Sequence, residues 1–353
     1  MDVSTIERTD LPTRDSWKIL GGLRFALAMI VCLGHLARFV PDAGLINRGL
    51  LMFGGLGATS AVFCFLVISG YSIAHSITVS PEGYFKRRML RIYPLYLLGI
   101  GLALLPFAFV PSPIQAFGRA YELPDLGTLA GNLLLLQGII AHPLSSNAPL
   151  WTLGVEVTCY VLAPLFVRAP RRVLLGIIVV SSLAYAAFPK FHLQFYSQLR
   201  FGLPLLFMIW AWLTGFVLYF NRKDARYQLG VPCLGTLLLS TNRAFMTRYS
   251  IFTYVASSAL ILFADAIRPP RPILKVLNYC GELSYPVYIF HAPVLLLCFA
   301  VLGIHNGLAM VAAVLLVAAF FYHLVDQPIR RRRSSAARGE PDAQAGSVPP
   351  ATA

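Results

Sequence analysis

Residues Ile19–Val40 read ILGGLRFALAMIVCLGHLARFV, an apolar run in which Arg24 and His35 are out of place. A helix that crosses a bilayer needs roughly 20 mostly apolar residues, and this run supplies them. Arg24 and His35 are eleven positions apart, which at about 100° per residue returns to nearly the same helix face, roughly 16 Å further along the axis. Ionisable side chains at membrane depth are costly, and they ordinarily face the protein interior or a water-filled cavity. A lone intramembrane histidine also serves as an interhelical hydrogen-bonding group. The arginine on the same stripe turns the reading towards function.

The whole chain repeats this pattern. Of its 353 residues 57% are apolar and 12% charged, with a mean hydropathy of +0.69, a balance foreign to an ordinary water-soluble globule. The expected fold is all-α and polytopic, with about ten transmembrane helices over residues 19–40, 49–77, 92–110, 150–167, 173–188, 201–220, 229–240, 251–267, 283–302 and 308–325. The net charge of +14 does not point to nucleic acid, because the basic residues sit in the connectors between apolar runs. With both termini on the cytoplasmic side, 21 of the 29 Lys and Arg fall on that side and seven on the other, and Arg24 lies within a span. The positive-inside rule therefore predicts a multi-pass protein of the cytoplasmic membrane, such as a cell inner membrane, with cytoplasmic N- and C-termini.

The apolar stretch Leu126–Ile140 breaks this scheme, because a span there would carry Arg168, Arg171 and Arg172 to the outer side. It is also short, and is read as a re-entrant or surface-packed segment after the third span. Residues 1–18 form a cytoplasmic N-terminal segment, too charged for a cleavable signal peptide. Residues 19–328 form one membrane domain, and 329–353 a disordered basic tail. Cys32, Cys64, Cys159, Cys233, Cys280 and Cys298 show no paired spacing and read as packing residues, with no metal site expected.

Glu156 is the carboxylate most out of place. Counted from Leu150 it lies about 9 Å below the outer boundary, the depth at which His35 is found counting from Val40. A carboxylate there would orient an imidazole and stabilise its cation, so that His35 removes a proton from an attacking hydroxyl. A structural Glu satisfied by a helix neighbour is the alternative. His291, in the ninth run, is a weaker candidate. His75, His142, His192, His305 and His323 fall near span ends or in loops and read as interfacial. In the connector Lys86-Arg87-Arg88-Met89-Leu90-Arg91, Arg88 and Arg91 stand three apart on one helical face. Paired guanidinium forks suit phosphate oxygens, although the same cluster also serves as a plain topology signal.

These segments together resemble membrane acyltransferase family 3. Gly22-Leu23-Arg24 through Gly34-His35 is similar to its first-span motif, and Phe63-Cys64-Phe65-Leu66-Val67-Ile68-Ser69-Gly70-Tyr71 to its Ser-Gly-aromatic signature. Arg88-Met89-Leu90-Arg91-Ile92-Tyr93-Pro94 is similar to its Arg-x-x-Arg segment, and Trp151-Thr152-Leu153-Gly154-Val155-Glu156 to its Trp-Ser-Leu-x-x-Glu segment. Leu283-Ser284-Tyr285-Pro286-Val287-Tyr288-Ile289-Phe290-His291 resembles a late motif. The resemblance implies an O-acyltransferase that moves an acyl group, commonly acetyl, from cytoplasmic acetyl-CoA or another acyl-CoA to a hydroxyl of an extracytoplasmic carbohydrate, such as surface polysaccharide or a lipid-linked glycan. It implies that His35 is catalytic and that Arg88 and Arg91 bind the donor. Two departures stand out. Val157 follows Glu156 where members often carry a second acid, and Asp326-Gln327-Pro328 stands where many have Glu-x-Pro.

The expected site therefore has His35 and Glu156 as catalytic residues, Arg24, Trp151 and His291 as substrate-binding residues, and Arg88 and Arg91 on the acyl-CoA phosphates. His35 acts as general base or as a covalent acyl carrier, both of which fit the sequence. Trp151 either stacks on a sugar face or anchors at the interface. The expected partners are membrane lipid, a carbohydrate acceptor and enzymes of polysaccharide synthesis, with no nucleic acid. A transporter or flippase is the rival class, which predicts symmetry between the two halves of the chain and no thioester consumption. A membrane scaffold would leave the Arg24 and His35 stripe without a reason.

Overall fold

The computed structural model describes residues 11–40, 44–116, 118–188, 199–242 and 246–338. His192 and the tail beyond 338 lie outside them, as do Arg8, Lys190 and Arg243, three of the basic residues counted for the orientation. The described chain is almost wholly helical, with one small antiparallel hairpin in which β1 (Ile114–Ala116) pairs with β2 (Arg119–Tyr121). The helices are α1 (Arg14–Leu36), α2 (Leu45–Gly54), α3 (Ala58–Val79), α4 (Tyr84–Leu104), α5 (Leu126–Leu133), α6 (Trp151–Arg168) and α7 (Arg171–Ala187). Then come α8 (Leu203–Phe220), α9 (Ala225–Thr241), α10 (Ser250–Phe263), α11 (Arg271–Ala300), α12 (Gly307–Phe321) and α13 (Gln327–Arg338).

Seven helical stretches among the described residues are long and apolar enough to cross a membrane: Arg14–Leu36, Ala58–Val79, Tyr84–Ala108, Ser145–Arg168, Leu203–Phe220, Arg271–Ala300 and Gly307–Arg332. The other three expected spans correspond to α7, α9 and α10, which are 17, 17 and 14 residues long. The window 49–77 is not one helix. The backbone breaks between α2 and α3, where Gly57 takes φ 103°, a left-handed-side conformation that favours glycine. Hydropathy averages over such a break, because Gly55-Leu56-Gly57 stays apolar on any scale.

Leu126–Ile140 does not form a spanning helix. Its helical part, α5, has eight residues, about 12 Å of rise. The chain then turns back, with Leu135 at φ 60°, and neighbouring elements bond several of its polar groups. Tyr96 donates to the Asn132 carbonyl at 2.6 Å, Tyr93 to the Leu133 carbonyl at 3.0 Å, and the Gln137 amide to the Leu150 carbonyl at 3.0 Å. The basic run expected to be disordered from residue 329 is instead helical as far as Arg338. A π turn at Tyr322–Asp326 leads into it, and Arg330 pairs with the buried Asp326 at 2.6 Å.

Close helix contacts fix the frame around the site. An added Cβ on Gly281 would meet the Gly21 Cα at 2.6 Å, so α1 and α11 touch backbone to backbone, the approach that small residues permit in membrane bundles. At Gly70 of α3 a Cβ would lie 1.9 Å from the Trp212 carbonyl oxygen of α8, and at Gly215 it would lie 1.9 Å from that of Val67. The glycine of the Ser-Gly-aromatic signature is thus a close-approach residue, and Tyr71 beside it packs on Trp17 and Tyr219. Gly70→Ala is expected to destabilise the bundle by about 3 kcal/mol or more. The check is the thermal midpoint and monodisperse yield of the purified variant; an unchanged midpoint would mean that α3 and α8 separate freely there.

Candidate active site

α1 carries Arg24 and His35 as one uninterrupted helix. Thr13 caps its start by accepting from the Ser16 amide at 3.2 Å, and Asp15 in its first turn suits the helix dipole. The two residues open into different chambers. Arg24 lines an inner chamber, towards the end of the bundle that carries the Arg-rich connectors. His35 lines a second chamber towards the opposite end. Val62 and Tyr288 border both, so the two spaces adjoin through the middle of the bundle.

The inner chamber draws on five helices: Arg24 from α1, Ser69 from α3, Arg88 and Arg91 from α4, Glu156 and Tyr160 from α6, and Tyr285 and Tyr288 from α11. Glu156 accepts from the Ser69 hydroxyl at 2.7 Å and from the Tyr160 hydroxyl one turn on. The Arg88 guanidinium stands 5.8 Å from the Tyr160 ring and 5.7 Å from that of Tyr84. Among the described residues no carboxylate makes an ion pair with Arg24, Arg88 or Arg91, and Nε of Arg24 and of Arg88 is buried without a hydrogen-bond partner. Three guanidinium groups against the single carboxylate of Glu156 leave this part-buried space with an excess of positive charge, which suits an anion. Arg88 and Arg91 also line a cleft with Arg87, Asp326 and Arg330, so the two residues border both spaces.

The expected contact between His35 and Glu156 is not made, which corrects the sequence reading. The partner of His35 is His291: the Nδ1 of His35 lies 3.0 Å from the Nε2 of His291, with the rings 5.0 Å apart and nearly parallel. Depth counted from Leu150 misleads because the helical run that carries Glu156 starts earlier. A 3₁₀ segment, Ser145–Leu150, precedes α6 inside the protein, with Asn147 and Leu150 fully buried. Leu150 is therefore no boundary from which to count, and Glu156 and His35 line different chambers. His291, the weaker candidate in sequence, thus belongs to the centre of the site, and it is fully buried.

The dyad fixes a tautomer. The Nδ1 of His291 lies 2.8 Å from the Tyr288 carbonyl, which only accepts, so this nitrogen carries the hydrogen. Its Nε2 is then an acceptor and must receive the Nδ1 hydrogen of His35. That leaves the Nε2 of His35 as the unprotonated, basic nitrogen of the pair. Around it the second chamber holds Trp151, Arg38 and Arg119. Trp151 therefore shares the His35 chamber, and Arg24, Arg88 and Arg91 share the other. Tyr288 links them: its hydroxyl lies 2.6 Å from that of Thr152 and donates to the Pro149 carbonyl at 3.2 Å, while its carbonyl holds His291. The sequence reading missed the parts played by Ser69, Tyr160 and Tyr288. All three lie within or near the quoted motifs, but no spacing rule links them to their partners.

The histidines expected at interfaces have local partners. His75 lies 3.1 Å from the Tyr219 hydroxyl and packs against Trp17 with the rings tilted, His305 meets Phe299 edge-on, and His323 lies 3.1 Å from the Tyr279 hydroxyl.

The acyltransferase domain of family 3 matches residues 17–323, nearly the whole helical body. The chain belongs to acyltransferase family 3. Among its curated relatives, this acyltransferase is 26% identical over 287 residues to ORF330 of Acidianus two-tailed virus, provisionally named an acetyltransferase; the match covers 76% of this chain and 79% of that one. It is 30% identical over 161 residues to the acyltransferase MdmB of Streptomyces mycarofaciens, covering 44% of this chain and 40% of MdmB. It is 23% identical over 339 residues to the O-acetyltransferase OatA of Staphylococcus aureus strain NCTC 8325, covering 81% of this chain and 54% of OatA. The chain thus spans about half or less of the length of MdmB and OatA. No solved structure matches it. Membership, with the seven membrane-length helices, makes this a multi-pass membrane acyltransferase.

Proposed function

We propose that this acyltransferase takes an acyl group, acetyl in the first instance, from acyl-CoA at its basic end and delivers it to a hydroxyl of a carbohydrate in the opposite chamber. The observation that carries the reading is the adjoining pair of chambers, one lined by an excess of arginines and the other by a histidine with a free basic nitrogen. Arg88 and Arg91 engage the donor phosphates at the cleft mouth, and Arg24 continues the positive lining inward. The pantetheine arm follows the inner chamber past Tyr288. The acceptor hydroxyl gives its proton to the Nε2 of His35 as its oxygen attacks the thioester carbonyl; the C–O bond forms, the C–S bond breaks, and the CoA thiolate leaves. His291 orients His35. Glu156, held by Ser69 and Tyr160, stays in the inner chamber, where its charge offsets the neighbouring arginines.

In this reading all ten long apolar segments cross the membrane, with the basic end in the cytoplasm, as the positive-inside bias supports. Leu126–Ile140 enters from the other face and leaves by it. Family membership and the absence of detectable symmetry between the halves weigh against a transporter.

The test is transfer of label from acetyl-CoA by the full chain in membranes. Arg88→Ala with Arg91→Ala is expected to raise the acetyl-CoA concentration for half-maximal transfer by roughly 10- to 100-fold, as loss of two charge-assisted contacts implies. Unchanged transfer at limiting donor sinks the phosphate assignment, and failure to consume any thioester sinks the function.

A further inference from the structure

Acyl transfer creates two charges that a site must manage. His35 takes the acceptor's proton. As the acceptor oxygen attacks, the electron pair of the thioester C=O bond moves onto its oxygen, and that oxyanion needs a hydrogen-bond donor of its own. A donor held ready at that point, in a space with little water, is usually the largest single contribution to catalysis of this kind.

The two chambers say where such a donor must stand. The thioester enters through the inner chamber and the basic nitrogen of His35 belongs to the other, so the reacting carbonyl lies where they adjoin. Among the described residues only Val62 and Tyr288 line both spaces. Val62 offers nothing but methyl groups. The Tyr288 hydroxyl stands at the junction itself: it lies 2.6 Å from the hydroxyl of Thr152, part of the inner lining, and 3.2 Å from the carbonyl of Pro149, part of the outer. Other donors are placed less well. Thr59 and Arg38 line the outer chamber alone, and the hydroxyls of Ser69 and Tyr160 donate to Glu156.

Tyr288 is fixed to the rest of the site at both ends. Its ring meets Phe65 edge-on with centroids 5.5 Å apart, and its backbone carbonyl takes the Nδ1 hydrogen of His291 at 2.8 Å. Through His291 the same residue sets the tautomer of His35, so the phenol and the base are registered to one turn of α11. The phenol hydrogen also turns at low cost. Thr152 and Tyr288 carry one hydroxyl hydrogen each, and both reach the Pro149 carbonyl. That carbonyl takes the Trp151 amide as well, so it keeps a partner when they leave. Thr152 can then donate to the Tyr288 oxygen across the 2.6 Å contact, which strengthens the phenol as a donor and leaves its hydrogen for the junction.

We propose that Tyr288 is a further catalytic residue: its hydroxyl donates to the carbonyl oxygen of the thioester as that oxygen becomes anionic, with Thr152 supporting it from behind. The C–O bond forms and the carbonyl pair rests on the oxygen beside Tyr288. The pair then returns as the C–S bond breaks and the CoA thiolate leaves. Tyr288 keeps its hydrogen throughout. This rests on the acyl-transfer reading above and adds the oxyanion donor to it.

The experiment follows CoA release from two donors, acetyl-CoA and fluoroacetyl-CoA, in membranes that carry the full chain and their own acceptors, above the rate in membranes without the chain. Tyr288→Phe keeps the ring and removes the hydroxyl. It is expected to lower kcat with acetyl-CoA by about 10²- to 10³-fold, the usual worth of an oxyanion donor. The half-saturating concentration should stay within about threefold of the wild type, because the interaction is made in the transition state. Fluorine withdraws charge from the carbonyl, so the oxyanion from fluoroacetyl-CoA leans less on the donor, and the fractional loss with it should be at least about threefold smaller. A hydroxyl that only braces α6 against α11 predicts equal fractional losses with both donors, and that result overturns the proposal. So does a Tyr288→Phe kcat within about threefold of the wild type.

Thr152→Val is the companion variant. It keeps the Tyr288 hydroxyl and removes its support, so kcat should fall only about three- to tenfold, the worth of one neutral hydrogen bond. A bracing pair predicts the same loss from either variant. Should the thermal midpoint show that Tyr288→Phe does not fold, Thr152→Val carries the test, and a loss beyond about tenfold there overturns the proposal. A wild-type chain that releases no CoA removes the acyl-transfer reading and this step with it. A wild type that turns over, matched by Tyr288→Phe, removes this step alone.

Discussion

His35→Ala is expected to lower kcat for acetyl transfer by about 10²- to 10⁴-fold, the usual worth of a positioned general base. The acetyl-CoA concentration at half-saturation should stay within about threefold of the wild type, because the donor arginines Arg24, Arg88 and Arg91 line a different chamber. The split matters more than the loss. A variant in which His35 gripped the donor would change both quantities; a misfolded fraction would lower the apparent kcat alone, and a thermal midpoint equal to that of the wild type excludes it. Initial rates over a range of acetyl-CoA, with membranes matched for protein content, supply both numbers. Equal label transfer by the variant and the wild type would falsify the catalytic role.

The second large effect belongs to His291, and it turns on hydrogen-bond direction. His291→Leu removes the acceptor that keeps the hydrogen of His35 on Nδ1, so the ring is free to adopt the wrong tautomer or rotate. A loss of about 10²-fold or more in kcat is expected, by analogy with the effect of removing the orienting partner of a catalytic histidine. His291→Gln places an amide oxygen where it can accept the same hydrogen, and should retain activity within about tenfold of the wild type. A residue that only fills space predicts the reverse order, since buried Leu is tolerated better than a part-satisfied Gln. Comparing kcat for the two variants, at thermal midpoints shown to be similar, decides the matter; leucine outperforming glutamine removes His291 from the mechanism.

Much of the membrane character and half of the site follow from local rules. Arg24 and His35 share a face because both lie on one helix, whose period is a property of the backbone alone. Arg88 and Arg91 face the same cleft for the same reason. The short α5 was visible as a run too brief to span and in conflict with the charge count. The errors arose where a count along the chain stood in for a distance between helices. The helical run that carries Glu156 starts before Leu150, and the break before α3 divides a window that hydropathy joins.

The sequence by itself determined that the chain is a helical membrane protein of acyltransferase family 3, and which of its ionisable residues sit out of place, because composition, period and motif order are local or additive. Only the tertiary structure decided their company. His35 meets His291 across 256 positions, and Glu156 meets Ser69 across 87. Those pairings depend on how far each helix slides along its neighbour, which is set by backbone contacts such as Gly21 on Gly281 and Gly70 on Trp212. No periodicity within a single helix encodes that offset, since it arises from the packing of two.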